Sequence, residues 1–265
     1  MTLVLFSGCS YVSGYDMENE HRNPGHFSHI LSNNLFGTDY NIDNIGVGGY
    51  SNERIFLDSA HALVKNQYDY AFVCWTNLHR YHFWAGLETY SCQRSLTPGM
   101  TEATTVEHNG NDISWTKKQL VNFSKQFLLL MHAHYYIRDL VSYVNILIDL
   151  AKSKGTKIFF VNNMLPFDHG YFDRIEGNVV PSMLTKYTNE LLNSDNRSDE
   201  EINQLYHMMH EHYKEKGGIK KEYWINLYQN FFNMRIDFTN DGIHPGFKSH
   251  KQFAEFLTEE FKKHN

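Results

Sequence analysis

The stretch Thr2-Leu3-Val4-Leu5-Phe6-Ser7-Gly8-Cys9-Ser10-Tyr11-Val12-Ser13-Gly14 decides how the rest of the chain is read. A short run of β-branched and apolar residues, too short for a buried helix, breaks abruptly into a Gly/Ser turn and reads as a buried strand. Four further runs of this kind follow: Tyr40 to Val47, Tyr70 to Trp75, Lys157 to Val161 and Tyr223 to Leu227. Helical patterns lie between them, and strand-helix alternation of this sort predicts a parallel sheet covered on both faces. The expected fold class is α/β, doubly wound, in one domain spanning residues 1–265.

The helices carry their own punctuation. Ser51 is a good N-cap, and Ile55, Ser59, Ala62 and Leu63 then fall along one side of a helix. The longest helical pattern runs from Phe123 to Ser153, with Val141, Val144, Ile148 and Ala151 at near-helical spacing and Gly155 where a C-terminal cap belongs. A last helix, Phe247 to Lys263, presents Phe247, Ala254, Leu257 and Phe261 on one face. Two segments, about 79–122 and 167–221, exceed what short α/β connections need and read as insertions. The second is expected to hold a helix capped by Ser198 and Glu201 and ended by Gly217-Gly218.

Composition excludes several classes of function. The net charge is −6, with both signs interspersed over 265 residues. That gives no electrostatic reason to expect nucleic acid or an anionic membrane surface as partner. Three cysteines, Cys9, Cys74 and Cys92, make neither a disulfide framework nor a zinc site. No run reaches the ~18 apolar residues of a membrane span, and no basic leader precedes the first strand. The expectation is a soluble, cytoplasmic protein acting on a small molecule.

The residues that carry chemistry sit where such a sheet binds ligands, past the carboxyl ends of its strands. Ser10 follows the first strand. A serine hydroxyl needs a base, and that base a carboxylate to orient it; Asn240-Asp241-Gly242-Ile243-His244-Pro245, just before the last helix, supplies Asp241 and His244 three residues apart. Acyl chemistry also needs donors for an oxyanion. Gly48-Gly49 closes the second strand, and Asn77 follows the third. The order Ser, Asp, His occurs in catalytic triads, but the surroundings of Ser10 are not the G-x-S-x-G elbow, which disfavours the α/β-hydrolase fold.

In order and separation these four blocks resemble those of the SGNH (GDSL-type) hydrolase family, over almost the whole chain. The resemblance implies a three-layer α/β/α fold around a parallel sheet of about five strands. It also implies Ser10 as nucleophile, Gly49 and Asn77 as oxyanion donors, Asp241 and His244 as the D-x-x-H pair, and no cofactor. Cys9 stands where the family name has Asp, Trp75-Thr76 replaces the usual glycine-rich lead to the Asn, and Gly48 competes with Gly49 for the glycine's place.

Each block has a plain alternative. Gly8-Cys9-Ser10 is compatible with an ordinary turn, and Asp241 to Pro245 with a capped helix entry; Asp237 is a second carboxylate near His244. Their joint occurrence in this order carries the reading. The pairs His79/His82 and His132/His134 and the group His207/His210/His212, among 16 histidines, lack carboxylates at metal-site spacing and read as solvated or hydrogen-bonded. The aromatic cluster of Trp75, Tyr81, Phe83 and Trp84 fits a pocket lining or core packing equally well. The expected activity is a serine esterase, with a short acyl group on a carbohydrate preferred as substrate. An acyltransferase using the same acyl-enzyme and a binding module on the same fold are the rivals.

Overall fold

The strand at the N-terminus pairs on both sides. In the computed structural model, which describes residues 1–77, 81–83, 94–96, 133–165, 220–227 and 229–264, β1 (Thr2–Ser7) lies between β2 (Tyr40–Asn44) and β3 (Tyr70–Trp75), and β6 (Lys157–Asn162) flanks β3. All three pairings are parallel, giving the order β2-β1-β3-β6. A separate antiparallel pair joins β4 (Tyr81–Phe83) to β5 (Arg94–Leu96). The remainder of the insertions expected at 79–122 and 167–221, including the Ser198 helix, lies outside the described residues.

Parallel pairing places side chains of matched rows on the same face, and here the row is aromatic. Phe6 is in register with Phe72, and Phe72 with Phe159. Their rings stack at 5.0 Å and 5.7 Å. Phe27, from α2 (Phe27–Phe36), meets Phe6 edge-on at 5.9 Å. Phe261, from α5 (Phe247–His264), closes on Phe159 at 4.9 Å. One layer is therefore α2 with α5. On the other face Ser59 of α3 (Asn52–Lys65) meets Ser7, Oγ to Oγ, at 2.8 Å. Phe56 of α3 stacks at 4.4 Å on Tyr143 of α4 (Ala133–Lys154). The three-layer α/β/α arrangement is complete.

The helix ends follow their sequence signals. Ser51 accepts from the Arg54 N–H at 3.3 Å. Gly155, at φ +69°, closes α4 with its N–H on Lys152 while Thr156 N–H reaches back to Ala151, a Schellman turn. Buried Val141, Val144, Ile148 and Ala151 bear out the inner face of α4; residues 123–132 lie outside the described ones. Phe247, expected on the buried face of α5, is 49% exposed. It occupies the first helical position, off the sheet, where its ring covers Gly25.

Two strands are shorter than their apolar runs because an asparagine competes with the ladder. Asn44 Oδ1 takes the Gly46 N–H at 2.9 Å and turns the chain at the end of β2. The segment Tyr223 to Leu227 makes a single parallel bridge, Trp224 to Phe160. The next rung is taken by the Asn226 side chain, whose Oδ1 accepts from Asn162 N–H at 2.7 Å and whose Nδ2 donates to Asn162 O at 2.9 Å. Among the described residues the sheet therefore has four strands and the start of a fifth.

Two buried imidazoles close the N-terminus of α2. His26 Nδ1 accepts from the Ser28 N–H at 3.3 Å, and His250 Nδ1 from the Phe27 N–H at 3.3 Å. Burial drives the His250 pKa down to about 3, against the opposing charge of Asp237 and a hydrogen bond to the Pro245 carbonyl.

Removing the central ring of the aromatic row, Phe72→Ala, should cost roughly 3–5 kcal/mol in chemical denaturation. Acid should destabilise the fold well before carboxylates titrate. Below about pH 6.5 the unfolded chain protonates this imidazole while the folded chain does not. The stability His250 contributes is thus full above that pH and lost as pH falls toward its folded value. Thermal melts followed by circular dichroism between about pH 7 and pH 4 should show a steady fall in Tm.

Candidate active site

The strand order reverses between β1 and β3, because the chain runs from β1 outward to β2 and then returns to β3 on the other side. A crevice opens at such a switch point beyond the carboxyl ends of the strands. Ser10 follows β1 and Asn77 follows β3, so the two flank it.

Gly8 lets β1 end close against β3. A Cβ there would stand 2.4 Å from Val12 Cγ2 and 3.0 Å from Cys74 Cβ. The Cys9 carbonyl then accepts from Val12 N–H at 2.9 Å and Ser13 N–H at 3.0 Å. This winds a single turn, α1 (Ser10–Ser13), that stops at Gly14 in the left-handed region. Ser10 is its first residue and is only 4% exposed. At that position helix geometry leaves its N–H without an intrahelical acceptor. Cys9 is wholly buried beside Cys74, whose thiol is pushed well up by burial and then by Cys9. A thiol suits this place; an ionised Asp would need a partner there.

The glycine loop after β2 is tied to the same turn. Asn44 Nδ2 donates to Val12 O at 2.8 Å, and Val47 N–H donates to Gly8 O at 3.1 Å. Gly48 passes nearest Ser10, where an added Cβ would be 4.0 Å from Ser10 Cβ. Gly49 makes the turn itself, with φ +80°. Beyond it, Asn52 at the start of α3 clamps Thr76: Thr76 N–H donates to Oδ1 at 2.8 Å and Nδ2 donates to Thr76 O at 3.1 Å. Half-buried Asn77 comes next. One buried amide thus ties the glycine segment to the Asn77 segment. Trp75, whose place was open between pocket and core, is fully buried against Phe160.

Asp241 and His244 form one tight unit. His244 Nδ1 lies 2.5 Å from Asp241 Oδ2, while Oδ1 accepts from His244 N–H at 2.9 Å, Ile243 N–H at 2.8 Å and Thr239 Oγ1 at 2.9 Å. Burial alone would raise the Asp241 carboxyl, but these donors outweigh it and hold it far below the usual carboxylate range. An ionised carboxylate makes Nδ1 the donor of this contact, the orientation in which a carboxylate holds a histidine for base chemistry through Nε2. The second carboxylate, Asp237, is engaged elsewhere. It accepts from Ser249 Oγ at 2.5 Å, Ser249 N–H at 2.7 Å and Lys248 N–H at 3.0 Å, capping α5.

The pair is docked on the Ser10 turn. Asp241 N–H donates to Asp16 Oδ2 at 2.9 Å, and the His244 ring packs on Tyr15 at 4.8 Å and Tyr11 at 5.8 Å. The side chain of His244 is 16% exposed. Asp16 and Asn52 were not anticipated from the sequence, since each acts on a distant segment without any local spacing to betray it. Asn44, directly before Ile45-Gly46, did carry a turn signal. The histidines of the 79–82, 132–134 and 207–212 groups lie outside the described side chains, and among the described residues no three His, Cys, Asp or Glu gather as a metal site would require.

No protein-family model matches the chain, and no curated protein matches it significantly. Solved structures do match along its length. They include a lipase/acylhydrolase from Enterococcus faecalis, at 11% identity and TM-score 0.43, covering 99% of this chain and 96% of that one. A carbohydrate acetylesterase family member from Sinorhizobium meliloti has 12% identity and TM-score 0.43, with 100% and 99% covered. A member of the lipolytic protein G-D-S-L family from Veillonella parvula DSM 2008 has 11% identity and TM-score 0.39, with 99% and 97% covered.

Asn52→Ala should strand the buried N–H and C=O of Thr76, costing roughly 2–4 kcal/mol. Measured by urea denaturation, the loss should exceed that of Asn66→Ala at the exposed end of α3.

Proposed function

We propose that the protein is a serine esterase working through an acyl-enzyme. The observation that carries this reading is the Asp241–His244 pair, four hydrogen bonds deep, docked on Tyr11 of the Ser10 turn and Tyr15 just past it. His244 Nε2 takes the Ser10 proton as Oγ forms a bond to the ester carbonyl carbon. The carbonyl oxygen, now an oxyanion, is held by the Ser10 N–H, the N–H of Gly49 and the Asn77 amide. Collapse breaks the carbon–oxygen bond to the alcohol, which leaves with the proton from His244. Water then attacks the acyl-enzyme with His244 again as base, and the acid departs. A short acyl group on a carbohydrate remains the preferred substrate class, on the strength of the aromatic residues after β3.

Asp241 holds the imidazole in its basic tautomer and balances the imidazolium that forms. Its depressed pKa keeps it ionised through the neutral and mildly acidic range. Acidification within that range therefore leaves the Asp241 charge in place.

The test is hydrolysis of a short-chain chromogenic ester by wild type, Ser10→Ala and Asp241→Asn, with folding checked by circular dichroism and Ser10 probed by a fluorophosphonate. Ser10→Ala should lower kcat by about 10³-fold or more and abolish labelling. Asp241→Asn should lower kcat by roughly 10²–10⁴-fold. Full activity in Ser10→Ala would overturn the reading.

A further inference from the structure

Two buried histidines that this chemistry does not use stand between its two halves. His26 and His250 are 0% and 1% exposed, with ring centroids 4.6 Å apart. Each accepts through Nδ1 at the N-terminus of α2, and His26 Nδ1 also lies 2.7 Å from Ser28 Oγ. The proton of each ring is therefore on Nε2. His26 Nε2 reaches the Tyr11 carbonyl oxygen at 3.1 Å, while the His250 backbone N–H donates to Gly246 O at 3.0 Å and its ring feels the Pro245 carbonyl. Tyr11 follows Ser10 and Pro245 follows His244.

We propose that His26 and His250 are positioning residues: the packed pair, anchored on the end of α2, holds the backbone beside Ser10 through one residue and the loop beside His244 through the other, and so sets the spacing of nucleophile and base. The proposal rests on the esterase reading. Both carbonyls belong to short irregular segments that no strand or long helix fixes, α1 being a single turn and residues 238–246 a loop. Phe27 and Phe231 pack edge-on or stacked against His250 at 5.8 Å and 5.1 Å, so the ring cannot swing without disturbing the core. Among the described residues the charge acting on His250 is Asp237, already bound to Ser249 and Lys248 N–H; its pull is outweighed by burial, which keeps the His250 ring neutral.

The two jobs of each ring can be separated. Asparagine places an amide near Nδ1 and keeps the helix cap, but falls short of the carbonyl; glutamine reaches the place of Nε2 and gives up the cap. Single variants H26N, H250N, H26Q and H250Q of the full chain are compared by Tm, by kcat and KM on the short-chain ester, and by the NMR shifts of the His244 ring protons. Those protons feel the ring currents of Tyr15 and Tyr11.

The asparagine variants should hold Tm better than the glutamine variants, lose roughly 10–100-fold in kcat with KM little changed, and move the His244 shifts toward free-imidazole values. Glutamine should rescue kcat and the shifts at lower Tm. Unmoved His244 shifts in both asparagine variants would overturn the proposal, as would kcat losses that simply follow Tm in all four. Should wild type neither cleave esters nor label with a fluorophosphonate, the esterase reading falls, and the His244 shifts still decide whether these histidines set the spacing.

Discussion

The parallel ladder between β1 and β3, from Val4 opposite Tyr70 to Ser7 opposite Val73, is the constraint on which the rest of the molecule hangs. It brings two segments whose partners are 66 residues apart in the chain to the same edge of the sheet. Everything local then happens beyond that edge. Gly8 permits the approach, Cys9 fills the space beside Cys74, and α1 turns Ser10 back over the strand ends. The aromatic row of Phe6, Phe72 and Phe159 holds the ladder from below by packing three adjacent strands through a single layer of rings. Such pairs add about 0.5–1.5 kcal/mol each beyond the area they bury.

Above the ladder, stability is transferred between irregular segments by side chains that imitate backbone. Asn44 joins the glycine loop to α1, Asn52 joins α3 to the Thr76 backbone, and Asn226 stands in for a strand rung at Asn162. An amide offers one donor and one acceptor in the same plane, as a peptide does, so it can satisfy a buried peptide where no strand continues. Among the described residues the polar edge of the sheet is ordered in this way. Asp241 uses the opposite device: a charged acceptor gathers four donors from one loop and makes that loop rigid.

Much of this was legible in the residues. Strands buried on both faces leave unbroken apolar runs, and β1, β3 and β6 were found where those runs lie. Asp241 and His244 interact over three residues, so their spacing alone betrays the contact. The fifth strand was read too long because its apolar letters, Tyr223 to Leu227, hide the one residue that ends it. Asp16, Asn52, His26 and His250 left no trace, for each acts over a separation set by topology: 225 residues between Asp16 and Asp241, and 223 between Phe27 and His250. Helix-face periodicity likewise placed Phe247 inward, although the sheet does not extend beneath the first residue of α5.

The same amides bear on how the sheet ends. Among the described strands, β2 and β6 form its two borders. A border strand offers unpaired peptide groups to any passing chain, and proteins that leave it flat and apolar tend to associate through it. Here β2 reads Tyr-Asn-Ile-Asp-Asn, with amides and a carboxylate on a strand only five residues long. The border at β6 is apolar, yet Asn226 occupies the rung at Asn162 after a single bridge from Trp224. One border is short and the other is plugged, so a side chain that began as a local correction to strand length also takes up the peptide groups that an edge-to-edge contact would need.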